Sequence, residues 1–172
     1  MRTKLLSLIL LTLALALSAC SPLTDVNASD PQPTQPEVNP STIMTLERTA
    51  CFGFCPIYTL TIYADGRVEF DGTDFVEMTG KQTGSITTEQ VQELVNAFEN
   101  ADYFNLEDKY EAPVTDIPTV ITSFTTDGQT KTVVNYGGCM EESPVRAPQA
   151  LCDLEIQIDE VTNSSQWIGE PQ

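Results

Sequence analysis

Ile57-Tyr58-Thr59-Leu60-Thr61-Ile62-Tyr63-Ala64-Asp65-Gly66-Arg67-Val68-Glu69-Phe70-Asp71 is the stretch on which the fold turns. Both halves are rich in β-branched and aromatic residues and alternate in polarity, the period of a half-buried strand. Asp65-Gly66 between them signals a hairpin. A two-residue loop would set Ile62 against Glu69 and Leu60 against Asp71. A three-residue loop, Ala64 to Gly66, sets Ile62 against Val68 and Leu60 against Phe70. Only the second keeps the apolar side chains on one face, so Gly66 is expected in the left-handed region as a bulge residue.

Working outward, Asp127-Gly128 repeats the device, and a three-residue loop there would place Val120 opposite Val134 and Phe124 opposite Thr130. Further strands are expected near Ile43 to Thr49 and Phe75 to Ser85. Thr87-Thr88-Glu89-Gln90 reads as a capping box, with Ile86 and Val91 as its hydrophobic staple. Val91, Leu94, Val95 and Phe98 then form one apolar helical stripe. Pro148 at a first helical position opens a second helix, whose stripe is Leu151, Leu154, Ile158 and Val161. Trp167 is expected to fold back on the sheet as a plug. The order predicts an α+β domain, an antiparallel sheet of about six strands in hairpins with two helices on one face.

The chain has 172 residues, with 8 Lys+Arg against 25 Asp+Glu, a net charge of −17 and no histidine. Such a surface repels phosphate, which excludes nucleic acid as a partner. Imidazole chemistry is excluded outright. The hydrophobic fraction of 41% is enough for a core.

The first residues read as an address. Arg2 and Lys4 precede the apolar run Leu5 to Leu17, which falls short of the roughly 20 residues of a membrane-spanning helix. The run ends in Leu17-Ser18-Ala19-Cys20, which resembles a bacterial lipobox with Cys20 as the lipidated residue. That implies lasting attachment to a membrane. Ser21 fits transport to the periplasmic face of the outer membrane in a cell that has one. Pro22, Pro31, Pro33, Pro36 and Pro40 among polar residues mark a tether, about 25 Å long as a flexible coil. The expected organisation is a signal peptide over 1–19, lipidated cysteine and tether over 20–42, the domain over 43–168 and a tail over 169–172.

Cys51, Cys55, Cys139 and Cys152 remain, and export makes disulfides the first reading, with three connectivities open. Cys152 lies about 140° from the centre of its helix's apolar stripe. It is thus not placed as a core thiol, and Cys139 could reach it across a loop of about 14 residues, worth roughly 3 kcal/mol. Cys51-Phe52-Gly53-Phe54-Cys55 can close on itself. The pairing 51–55 with 139–152 is therefore favoured. A thiol–disulfide enzyme using Cys51 and Cys55 is disfavoured, because Cys55-Pro56 leads into a strand and Arg48 is the single nearby cation. A four-thiolate zinc site is the lesser alternative.

Asp65, Glu69, Asp71 and Asp74 lack calcium-loop spacing and read as turn residues and a solvated face. Glu141-Glu142 and Asp159-Glu160 read as surface. Nucleophile-elbow and phosphate-loop motifs are missing, so no catalytic residue, cofactor, metal or small-molecule ligand is assigned.

Thr49-Ala50-Cys51-Phe52-Gly53-Phe54-Cys55-Pro56-Ile57-Tyr58 through Ile62, followed by Asp65-Gly66-Arg67-Val68, resembles the opening of domain-of-unknown-function family 6438. Asp116-Ile117-Pro118-Thr119, the Asp127-Gly128 hairpin and Ile158-Asp159-Glu160-Val161 with Trp167 fit the same pattern, from about Met44 to Trp167. The resemblance implies an exported or lipid-anchored bacterial domain and brings no established activity, substrate or cofactor.

The functional expectation is a membrane-anchored, non-enzymatic envelope module that binds a protein or envelope component. The alternatives are a redox or metal-binding protein using its four cysteines, and an acidic inhibitor- or chaperone-like module for a basic partner. Tyr63, Phe75 and Tyr103 are candidates for an exposed apolar patch ringed by acids.

Overall fold

The computed structural model describes residues 38–169. The leader, Cys20, nearly all of the tether and the end of the tail lie outside the described residues. Seven strands form one sheet: β1 (Ile43–Arg48), β2 (Ile57–Tyr63), β3 (Arg67–Asp74), β4 (Gly80–Ser85), β5 (Lys109–Glu111), β6 (Val120–Thr126) and β7 (Gln129–Tyr136). Their order is β4-β3-β2-β1-β6-β7-β5. Helices α1 (Thr88–Asn100), α2 (Gln149–Thr162) and the short α3 (Ser165–Ile168) complete the fold with a 3-10 turn at Tyr103–Asn105. Among the described residues no helix is long and apolar enough to cross a membrane.

The fold is α+β as expected, with one strand more. The extra strand, β5, is three residues long and pairs parallel to β7 at the sheet edge. So short a segment carries no readable alternation.

The first hairpin has the register derived from its sequence, Ile62 opposite Val68 and Leu60 opposite Phe70. Gly66 has φ +84°, and a Cβ there would stand 2.3 Å from the Ile86 carbonyl oxygen. The second hairpin differs. Thr126 pairs with Gln129, which leaves a two-residue loop, and Asp127 and Gly128 both have positive φ. That is the backbone of a type I′ turn. Val120 consequently faces Asn135 and Phe124 faces Lys131. A shift of one residue exchanges the two faces of a strand, so Val133 and Asn135 point inward in place of Val134.

Further boundaries move. β3 runs on to Asp74, and β4 starts only at Gly80. The residues between turn out to meet α3, with Glu77 and Met78 donating their N–H groups to Ile168 and Trp167 carbonyls. Pro148 is the N-cap of α2 and precedes its first helical residue.

The core lies between one sheet face and the helices. Met44, Leu46, Leu60, Ile62, Val68, Phe70 and Phe124 meet Val91, Leu94 and Phe98 of α1 and Leu151, Leu154 and Ile158 of α2. The capping box forms in full: Gln90 N–H donates to Thr87 Oγ1 at 3.2 Å, and Thr87 N–H to Gln90 Oε1 at 2.9 Å. Trp167 stacks on Phe70 with ring centroids 5.2 Å apart, closing the sheet as a plug.

Candidate functional site

One row of cross-strand neighbours on the inner face is largely polar. Asn135, Val120, Arg48 and Tyr58 stand side by side across β7, β6, β1 and β2. Helix α2 lays Glu155 and Asp159, one turn apart, against this row. The core therefore ends in a hydrogen-bonded layer at the end of the sheet where β1 and β7 finish.

Asp159 organises one half. Arg48 donates to its Oδ2 through Nε and Nη2, at 2.9 and 2.7 Å. Tyr58 Oη and Ser164 Oγ donate to its Oδ1, at 2.7 and 2.6 Å. Burial opposes the Arg48 charge, but Asp159 and Tyr58 outweigh it and hold the guanidinium above its ordinary pKa. Burial, reinforced by Asp159, pushes the Tyr58 hydroxyl up. Asp159 thus ties β1, β2 and the residues after α2 together, which corrects the reading of Asp159-Glu160 as plain surface.

Glu155 organises the other half and is only 5% exposed. Asn135 Nδ2 donates to its two carboxyl oxygens at 2.9 and 3.0 Å, and lies 2.9 Å from Cys139 Sγ. Gly138 N–H donates to Asn135 Oδ1 at 2.9 Å, which fixes the amide's orientation. Gly138 must be small here, since a Cβ would stand 2.7 Å from that oxygen. Burial pushes the Glu155 carboxyl up to about 7, against the opposing pull of Asn135 and Arg48.

Above Glu155 opens a cavity of about 520 Å³. Ile117, Pro118, Met140 and Ile156 give it apolar walls, and Cys139 and Cys152 border it. A concave apolar pocket with a few converging polar groups and a displaced pKa is the usual form of a small-ligand site.

The cysteines form two bridges, Cys51–Cys55 and Cys139–Cys152. As bridges they offer no thiolates to a metal. Both lie at the end of the sheet that carries the polar row: Cys51–Cys55 closes the β1–β2 loop, and Cys139 follows β7. The first bridge closes on two exposed aromatic side chains, Phe52 at 87% and Phe54 at 68%. Phe54 packs edge-on to Phe75 with ring centroids 5.5 Å apart. Phe52 N–H donates to the Asp116 carbonyl, tying this knuckle to the loop before β6.

Of the proposed surface aromatics, Phe75 is half-buried beside the knuckle. Tyr63 is half-buried elsewhere, with the Arg67 guanidinium 3.5 Å from its ring centroid. Tyr103 is a correction, because it is buried and shares a 2.8 Å hydrogen bond with Thr122. It lies under the sheet's inner face, so it cannot belong to a surface patch. Asp65 and Glu69 serve the first hairpin, bonding Arg67 N–H and the Arg67 guanidinium. Cys20 is outside the described residues.

Sequence reading missed Asn135, Glu155 and Asp159 as a group. A signal for Glu155 was present, since it occupies the i+4 position of the stripe Leu151, Leu154, Ile158. A carboxylate in an apolar stripe needs a partner.

No curated protein matches the chain. The family described as Domain of unknown function (DUF6438) matches residues 42–162, from the residue before β1 to the last residue of α2. On that match, which takes in both bridges, the knuckle and the polar row, the chain belongs to the DUF6438 family.

Proposed function

We propose that this protein is an exported, lipid-anchored envelope module that binds a protein partner through the Phe52-Gly53-Phe54 knuckle. The observation that carries the reading is the exposure of two phenylalanines on a loop of five residues closed by a disulfide. Burying both in a partner is worth about 3–6 kcal/mol of apolar transfer. Aromatic anchors of this kind dominate measured interfaces, and a closed loop loses little entropy on docking. Support for the anchor comes from Leu17-Ser18-Ala19-Cys20 after a basic start and an apolar run. Asp74 and Asp116 flank the knuckle, so the partner's apolar cleft is expected to carry a cationic rim, and binding to weaken with salt.

The test is a photo-crosslinking residue at Phe52 in the full chain, in the cells that make it. A control goes at Glu89, exposed in the first turn of α1 at the other end of the sheet. A discrete protein adduct at position 52, not seen at 89, is expected. Lipid adducts alone, or monomer alone across growth conditions, would overturn the proposal.

A further inference from the structure

The Cys139–Cys152 bridge differs from an inert brace in what touches it. Asn135 Nδ2 is 2.9 Å from Cys139 Sγ and Glu155 Oε2 is 3.8 Å from it. A disulfide sulfur has no hydrogen, so the contact with Glu155 is a hydrogen bond only when the carboxyl carries the proton. The protonated carboxyl is thus the donor aimed at this sulfur, while the Asn135 amide, whose two N–H bonds are shared among the Glu155 oxygens and Sγ, holds the two together. Cys139 and Cys152 both border the cavity, Cys152 the more buried of the two, and among the described residues the side-chain polar contacts fall on Cys139 Sγ. A cavity of about 520 Å³ suits a molecule of modest size.

We propose that Cys139–Cys152 is a thiol-exchange site for a low-molecular-weight thiol, with Glu155 as its proton donor. The thiolate enters the cavity and its sulfur bonds to Cys152 Sγ. The Cys139–Cys152 bond breaks, and its electron pair goes to Cys139 Sγ. That sulfur takes the proton of Glu155, leaving a Cys139 thiol, a Glu155 carboxylate and a mixed disulfide at Cys152. A second thiolate then attacks the mixed disulfide and leaves as the oxidised thiol pair, with Cys152 released as thiolate. Two thiols are oxidised and one bridge is reduced. Asn135 acts as a positioning residue, holding carboxyl and sulfur together.

The remaining charged or titratable groups around Glu155 are Arg48 from β1, Asp159 from α2, Tyr58 from β2 and Tyr103 from the 3-10 turn. Arg48 is held by Asp159, which is itself bonded to Tyr58, and it donates to the Glu155 backbone carbonyl at 3.1 Å. The Glu155 carboxyl, pushed up to about 7, is thus free to exchange its proton near neutrality. Among the described residues no side-chain donor contacts a sulfur of Cys51–Cys55, so that bridge serves as an internal reference.

The experiment measures how fast glutathione opens each bridge in the full chain, by alkylation trapping and mass mapping, from about pH 5.5 to about pH 8.5. Both bridges see the same thiolate, so the ratio of their rates removes the reagent's own titration. The 139–152 to 51–55 ratio is expected to be constant below about pH 7 and to fall about tenfold per pH unit above it. Glu155→Gln is expected to slow 139–152 opening on the order of a hundredfold at low pH and to abolish the pH dependence of the ratio. A flat wild-type ratio overturns the proposal. So does a Glu155→Gln protein that reacts as fast as wild type at low pH, which would make Glu155 a charge that merely repels thiolate. Should that variant fail to fold, the solvent isotope effect on wild type decides. A rate about twofold lower in heavy water for 139–152 relative to 51–55 is expected, and equal effects on the two bridges overturn the assignment.

Discussion

Replacing Glu155 by Gln should change how stability depends on pH. Folding raises the carboxyl from its ordinary 4.5 to about 7 because burial penalises the charged form. The folded state therefore binds this proton more tightly than the unfolded chain does. Below about pH 4.5 the group is protonated in both states and contributes no penalty. Between about 4.5 and about 7 the unfolded chain releases the proton first, so wild-type stability falls as pH rises through that window. Above it the penalty is complete, and the shift converts to about 3 kcal/mol. Gln carries no such term. The variant should thus gain about 3 kcal/mol on wild type between about pH 4.5 and about pH 8, whatever fixed difference its amide introduces. All other carboxylates are common to the two proteins and cancel. Urea unfolding, followed through the fluorescence of the single tryptophan, Trp167, gives both stabilities in one buffer series. A gap that changes by less than about 1 kcal/mol across the window would refute the claim that burial displaces the Glu155 proton.

Two backbone features give further expectations. Gly66→Ala should lower stability by about 1–3 kcal/mol in the same urea assay, because φ is +84° and the new Cβ meets the Ile86 carbonyl; an unchanged midpoint would mean that the turn relaxes freely. Thr87→Ala removes one bond of the capping box and should cost about 1 kcal/mol, with amide exchange accelerating first at Gln90. Equal protection of Gln90 in both proteins would contradict that.

The two hairpins show why some of this was legible in the sequence and some was not. In the first, every inward residue near the turn is apolar, so matching Leu60 and Ile62 to Phe70 and Val68 yields the register. In the second, the inner face holds Thr122 and Asn135, and the same matching selects Val134, which lies on the opposite face. An inward Asn is stable only because Glu155 meets it from α2, and nothing local to β7 announces that partner. Arg48 and Asp159 are farther apart still in the chain. Apolar faces follow local periodicity and can be read from one segment. A buried polar layer requires that the segments first be placed together. The helix cap, the Trp167 plug and the core stripes belong to the first kind, and the candidate site belongs to the second.

The direction of β1 has a consequence for how the domain stands in space. The chain enters beside the Asp127-Gly128 turn, where Asn39 bonds the Asp127 side chain, and β1 then runs the height of the sheet before reaching Arg48 and Cys51. Six extended residues cover about 20 Å. The polypeptide preceding Val38 is therefore joined at one pole, while the knuckle, both bridges and the cavity occupy the other. With a lipid on Cys20 the domain would be held by the pole opposite the knuckle, both bridges and the cavity, which would leave that working end clear of the attachment point. A partner would then be met anywhere within the radius that Ser21 to Thr42 would set.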